Sequence, residues 1–411
     1  MCLFVHTWSR WHNWTNKLTL ANPLNPSAVF ETPTSAESQQ QKWQDLKNYL
    51  LQYFHAPDLE ALLCVLSAIR AQYAEGDPVW LFVIGPSGSG KTAIAVNCAS
   101  ALPRTYVESS LTTRSLLSGT TDGAKSSLLE IVKDGILIFK DFTTILSKRE
   151  DDQKEIISQF REVFDGRFSI RTGQRSTIWE GKITVIAATT PAIERAWAVH
   201  RDLGERFLQV RWFKSDSRKI AKAARSQRGR EREIARKMRE LTKAFFSSSF
   251  PTPSLSETQG SYIDDLATAV AHLRGHISRD PQERSIIDAA DPEEPTRIAK
   301  ALDSLVCNHA GLFWRPVVPE DFALARRVGF DSVPSKRIKI MQALPTSEIG
   351  MSRLDLPFKT GIPESSCIRQ LEEMKALGLI ISTDAANGYV EVKIHPNFLG
   401  IWLAALQSPL S

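Results

Sequence analysis

Trp43, Leu46, Leu50 and Phe54 recur at helical spacing, and Leu59, Leu62, Leu63, Leu66 and Ile69 continue the pattern more densely. A first helix and then a second, mostly buried one are predicted before Asp77 and Pro78 break the run. The period then changes. Residues 79–84 read Val-Trp-Leu-Phe-Val-Ile, an uninterrupted apolar run closed by Gly85, as expected of a strand buried on both faces. Further apolar strands are predicted at 105–108, 136–139, 183–188 and 207–212, with helices at 91–101 and 152–164 between them. This alternation predicts an α/β core built on a parallel sheet. From 215 to 330 the pattern is helical throughout, interrupted by a Ser- and Pro-rich loop at 245–253. Beyond Pro334, Ile338, Met341 and Leu344 predict a helix. A turn and helix start follow at 356–366, then a helical run through Ile368, Leu371, Met374 and Leu377. A hairpin over 380–394 turns at Asn387-Gly388. Residues 1–40 hold neither period; turn clusters at 22–27 and 32–35 mark a tail, in which Trp8, Trp11 and Trp14 recur every three residues.

Composition narrows the class. A chain of 411 residues has room for two or three domains, and 42% hydrophobic with 24% charged residues excludes wholesale disorder. No window holds the ~18 uninterrupted apolar residues of a membrane span. The opening residues break their apolar run at His6 and lack a basic start, so no secretory signal is expected. Five widely spaced cysteines form no CxxC pair, which argues against structural zinc or a disulfide framework and fits a reducing cytoplasm. The net charge of +5 is unevenly distributed: 214–243 carries twelve Lys and Arg against four Asp and Glu. One basic segment on a nearly neutral protein points to an anionic partner more directly than a uniformly high pI does.

The strongest chemical signal follows the first strand. Gly85-Pro86-Ser87-Gly88-Ser89-Gly90-Lys91-Thr92 matches G-x-x-x-x-G-K-[ST] between an apolar strand and a helix of good formers. The glycines let backbone N–H groups wrap a polyphosphate, and the helix N-terminus adds a favourable dipole. Lys91 would reach the outer phosphates and the Thr92 hydroxyl would bind Mg²⁺. No guanine-specificity signature [NT]KxD occurs, so ATP is favoured over GTP. The strand at 136–139 delivers Lys140-Asp141 to the sheet edge where an Asp-Glu pair is usual. Asp141 either completes the metal shell, with the base supplied elsewhere, or stands in the base position with the metal carboxylate missing. Both readings predict slow hydrolysis.

In the order of its elements the chain resembles the AAA+ ATPases, in particular the branch with a hairpin before the fourth core strand, as in minichromosome maintenance helicases. The resemblance covers residues 58–330. Residues 167–179 alternate about a Thr-Gly turn as that hairpin should. Residues 183–191 resemble the sensor 1 strand with Thr190 in its polar position, and Gly204-Glu205-Arg206-Phe207 resembles the arginine-finger box. Glu294-Pro295-Thr296-Arg297 resembles the start of the sensor 2 lid helix. The resemblance implies that Thr190 senses the γ-phosphate, that Arg206 reaches a neighbouring subunit's nucleotide, and that the chain forms a ring or filament. Each arginine also has a plainer reading: Arg206 as partner of a surface carboxylate, Arg297 as an ordinary helix residue. Arg171 and Arg175 on the hairpin would touch a DNA backbone or simply face solvent. So would Arg228, Arg232 and Arg236 in the basic segment, where Glu231, Glu233 and Glu240 offer internal partners. The C-terminal pattern resembles a winged helix, whose second helix offsets Arg369 and Lys375 with Glu364, Glu372 and Glu373, so it could pack on protein as well as enter a groove.

The expected organisation is therefore a tail (1–40), N-terminal helices (41–78), an AAA+ core (79–213), an all-helical lid with the basic segment (214–332) and a winged helix (333–411). The expected function is ATP-driven action on DNA, as a helicase, a helicase loader or a replication factor of a phage or mobile element. The rival is a nucleotide-gated regulator that binds DNA or protein with little turnover. A metabolic kinase is disfavoured by the lid and winged-helix segments.

Overall fold

The structure, a computed structural model, describes residues 36–117, 127–172, 175–195, 206–213, 216–246, 252–280, 282–347, 349–384 and 389–407. The Trp-rich segment, Gly204-Glu205 and the Asn387-Gly388 turn lie outside these residues. Helices α1 (Ala36–Tyr53) and α2 (Leu59–Arg70) come first, α1 beginning within the segment read as tail. Asp58 caps α2 by accepting from Ala61 N–H at 3.0 Å.

A five-stranded parallel sheet in the order β2-β3-β6-β1-β7 forms the core. Its strands are β1 (Trp80–Ile84), β2 (Thr105–Glu108), β3 (Gly135–Phe139), β6 (Ile183–Thr189) and β7 (Phe207–Arg211). Every residue of β1, β3 and β6 is buried, which is why these strands read as continuous apolar runs. Alternate side chains of β1 feed opposite faces. Leu81 and Val83 join a core with α2, whereas Trp80, Phe82 and Ile84 join another with Phe160 of the helix Glu150–Phe164. On that second face Phe82 stacks on Phe207 at 4.0 Å between centroids, and the Trp80 indole donates to Ile183 O at 2.6 Å.

Helix α3 (Asn97–Ala99) continues a π-helical turn, Thr92–Val96, that follows β1. The short helices α4 (Leu128–Val132) and α5 (Thr143–Leu146) flank β3, and α6 is the helix Glu150–Phe164. Between α6 and β6 stands an antiparallel hairpin, β4 (Arg167–Thr172) with β5 (Arg175–Glu180). The hairpin and strands predicted from sequence are all present.

Past β7 two expectations need correction. The basic segment is two helices, α7 (Ser217–Ser226) and α8 (Glu231–Phe246), because the chain turns between them and Gly229 takes a left-handed φ of +82°. The region read as all-helical also holds a hairpin. Helix α9 (Glu257–Arg274) is followed by β8 (Ile277–Arg279) and β9 (Ile286–Ala289), then by α10 (Thr296–Leu312) and α11 (Pro319–Asp331). None of the β8 and β9 residues is buried, so no apolar alternation announced these strands.

The C-terminal unit runs α12 (Ser335–Ala343), β10 (Met351–Ser352), α13 (Asp355–Thr360), α14 (Glu364–Ala376), β11 (Ile380–Asp384), β12 (Val390–Ile394) and α15 (Pro396–Leu406), with sheet order β10-β12-β11. Helix α14 is docked on the β8–β9 hairpin. Arg279 pairs with Glu373 at 3.1 Å and Glu372 at 3.2 Å and donates to Arg369 O at 3.1 Å. Among the described residues no helix is long and apolar enough to cross a membrane.

Candidate nucleotide-binding site

The site grows from the end of β1. Gly85 N–H donates to Thr189 O at 3.1 Å, so the loop leaves the sheet beside β6. A Cβ at Gly85 would stand 2.9 Å from Trp212 Cβ, which leaves room only for glycine. Gly88 and Gly90 hold left-handed φ values of +75° and +88°, curling the loop back on itself. The Trp212 indole, buried just past β7, donates to Ser89 O at 3.2 Å and props the loop from below. Lys91 is buried and donates to Pro86 O at 3.2 Å, its ammonium drawn over the loop. Burial lowers its pKa and the negative charge of Asp141 opposes that shift.

Asp141 follows β3 and is exposed; its Oδ1 accepts from both the backbone and the hydroxyl of Thr143, starting α5. Lys140 is exposed too. Strand β6 lies between β3 and β1, so Thr190, just past its end, emerges between Asp141 and the loop. Phe142 N–H donates to Ala188 O at 2.8 Å and fixes that spacing.

These residues fit a polyphosphate and Mg²⁺. Among the described residues the Ser89 hydroxyl is buried without a partner and the Lys91 ammonium donates to a carbonyl alone, while Gly88 and Gly90 turn the backbone into a cradle. For the metal, the Thr92 hydroxyl and the Asp141 carboxylate are hard oxygen donors. Among the described residues no set of three His, Cys, Asp or Glu could cage an ion, as suits an ion that keeps waters and shares phosphate oxygens.

The sequence did not reveal the second half of the site. A cavity of about 300 Å³ opens beside the loop, walled by Phe54, His55 and Pro57 on one side and by Ile220, Ala223, Ala224 and Gln227 on the other. By its spacing alone Phe54 reads as a core position of the first helix. The signal available was the i, i+3, i+4, i+7 spacing of Ile220, Ala223, Ala224 and Gln227, hidden in a segment whose charges dominate its appearance.

The remaining candidates are not gathered there. Arg206 sits at the start of β7, at the end of the sheet opposite the loop. Its side chain is 6% exposed, pairs with both oxygens of Asp165 at 3.0 and 3.2 Å, and lies over the Phe164 ring. It therefore folds against its own subunit and does not project freely. Burial lowers its pKa, the Asp165 pair opposes that, and repulsion from Arg297 and Arg161 adds to it. Arg297, exposed at the start of α10, belongs to this same end of the sheet. Lys300, one turn further along α10, pairs with Asp77 at 3.0 Å, below the start of β1. Arg171 is exposed on β4, and the Arg175 side chain lies outside the described residues. Arg228, Arg232 and Arg236 are exposed, with Arg236 paired to Glu240 at 3.3 Å.

No curated protein matches the chain. Residues 81–214 match the family model described as ATPase family associated with various cellular activities (AAA), which supports ATP binding and hydrolysis in general. Apart from Trp80 at the start of β1, the parallel sheet, the phosphate loop, Asp141 and the arginine at the foot of β7 fall within that AAA match.

Proposed function

We propose that the chain is a Mg²⁺-dependent ATPase that works as an oligomer on DNA. The observation that carries this reading is that β1, β3 and β6 run parallel and release the Lys91 loop, Asp141 and Thr190 at one sheet edge, the loop lying beside a cavity of a size to take a base and ribose. The loop amides and Lys91 hold the phosphates, Thr92 and Asp141 hold the metal shell or orient water, and Thr190 hydrogen-bonds the terminal phosphate or its water. Phe54, His55 and the apolar face of α7 enclose the base. Bound Mg²⁺ would neutralise charge developing on the phosphates.

Arg206 and Arg297 lie at the same end of the sheet, away from their own loop, so they serve a neighbour's nucleotide if they serve any. Arg206 must first leave Asp165. With Lys140 in place of an acid, this internal pair favours a low basal rate, which keeps the nucleotide-gated regulator as a second reading. In the C-terminal unit, the helix–strand–helix–helix–strand–strand order with β10 on β12 supports a winged helix. Its α14, the groove-reading helix of such a module, is already held by Arg279, so the unit suits protein packing, and DNA contact falls to the basic segment and the β4–β5 hairpin.

ATP turnover measured with and without duplex and single-stranded DNA, across protein concentration, tests the reading. Turnover that rises with DNA and with concentration supports a motor. Tight nucleotide retention with negligible turnover supports the regulator. No nucleotide binding overturns both.

A further inference from the structure

We propose that α7 is a two-faced lid whose outer face docks duplex DNA, so that DNA and nucleotide tighten each other's binding; this rests on the nucleotide reading of the cavity. The inner face of α7 is the cavity wall formed by Ile220, Ala223 and Ala224, continued by Gln227 just past its end. Its outer face carries Arg218, Lys219, Lys222 and Arg225, all exposed, and the ten residues of the helix include no acid. Among the described residues none of these four cations has an acidic partner. Further along, Arg230 pairs with Glu233 and Arg236 and Lys237 pair with Glu240, whereas Arg228, Arg232, Arg239 and Lys243 have no acidic partner among the described residues. Charge without an acidic partner thus runs along the whole segment, and α7, the helix of that segment with no acid of its own, is the part of it that walls the cavity.

That helix is held lightly. None of its residues is buried; Asp216 caps its own first turn, and just past its end Gln227 Nε2 donates to Tyr53 O at 2.7 Å. A segment with so little buried surface opens at small free-energy cost. A nucleotide in the cavity gives its inner face a surface to pack on, and a phosphate backbone gives its outer face counter-charge. Each ligand then fixes the element the other needs fixed, and the coupling is reciprocal. Duplex DNA is the occupant the charge pattern fits. Cations set rigidly along a helix about 15 Å long meet successive phosphates best when those phosphates are rigid too, at about one charge per 1.7 Å of duplex. A membrane surface fits poorly, because the apolar face holds only one Ile and two Ala and is turned to the cavity.

The test is calorimetric binding of a non-hydrolysable ATP analogue with Mg²⁺ to the full chain, with and without saturating duplex DNA. Duplex should tighten the analogue by about 5- to 150-fold. The triple variant Lys219→Gln, Lys222→Gln, Arg225→Gln should keep the analogue affinity measured without DNA and lose the tightening. Its log–log slope of DNA affinity against salt should be shallower by up to about 3. Lys222→Gln alone should give a partial loss. Equal tightening in the triple variant, or none in the wild type when both ligands bind, overturns the proposal. So does tightening by duplex RNA or anionic vesicles in place of DNA. If the wild type binds no analogue, the nucleotide reading itself falls.

Discussion

Lys91 and Asp141 leave the same edge of the parallel sheet, past the ends of β1 and β3, and their proposed roles separate in measurement. In the proposed role of Lys91 as a phosphate ligand, a hydrogen bond to a charged group is worth about 1.5–3 kcal/mol, so Lys91→Ala should weaken ATP about 10²-fold or more once two such bonds are lost. The fold should survive, since the ammonium's hydrogen bond inside the protein is to Pro86 O. Unchanged ATP affinity in a folded variant would remove the phosphate loop from the site. Asp141→Asn should largely spare ATP binding and lower turnover by about 10²-fold, because in the proposed mechanism its carboxylate acts on metal or water and not on the phosphates. Turnover that persists would assign the chemistry to another acid. Both residues were legible from their motif and strand, since each is fixed by neighbours close in sequence. Trp212 was not legible, because nothing local announces that an indole 123 residues after Ser89 will support the loop.

At the scale of elements, a cluster of charges ties α11 to the end of β7 and the start of α2. Arg327 pairs with Asp58 at 2.6 Å and Glu60 at 2.8 Å, while Asp331 accepts from Arg211 N–H at 2.7 Å. Burial pushes the Asp331 carboxyl up to about 6. An ordinary carboxylate titrates near 4, so between those values the folded state holds the proton more tightly than the unfolded one. Its stabilising contribution is therefore full below about pH 4 and lost as pH rises through about 6, a change of order 3 kcal/mol. A carboxamide in place of the acid cannot titrate and can still accept from Arg211 N–H. In urea unfolding, Asp331→Asn should gain stability relative to the wild type between pH 4 and pH 7.5. A difference that stays constant with pH would show that Asp331 is ionised throughout. The helices of this region were legible from their period, but the division of the basic segment and the β8–β9 hairpin were not. Gly229 reads equally well as a helix residue, and two short strands that bury nothing leave no apolar pattern.

For the whole molecule, the separation of Arg206 and Arg297 from their own phosphate loop sets the sharpest expectation. If they complete a neighbour's site, contacts run head to tail and close into a ring or extend as a filament. Specific activity should then rise with protein concentration, and Arg206→Ala should keep ATP affinity while losing turnover by about 10³-fold or more. Mixing Arg206→Ala with Lys91→Ala should restore part of the activity, because one interface then joins an intact loop to an intact arginine. Concentration-independent activity with no recovery on mixing would leave Arg206 as the internal partner of Asp165. By itself the sequence determined the α/β class and the strands of the parallel sheet, and it pointed to the phosphate-loop motif and to the acid after β3. Those features depend on residues adjacent in the chain, through burial of both strand faces and glycine's access to left-handed backbone. Only the tertiary structure decided that α7 walls the cavity, that α14 is held by Arg279, and that Arg206 turns inward to Asp165. Each joins groups distant in sequence, and an arginine, a short basic helix or a half-buried hairpin has the same local pattern whichever partner the fold brings to it.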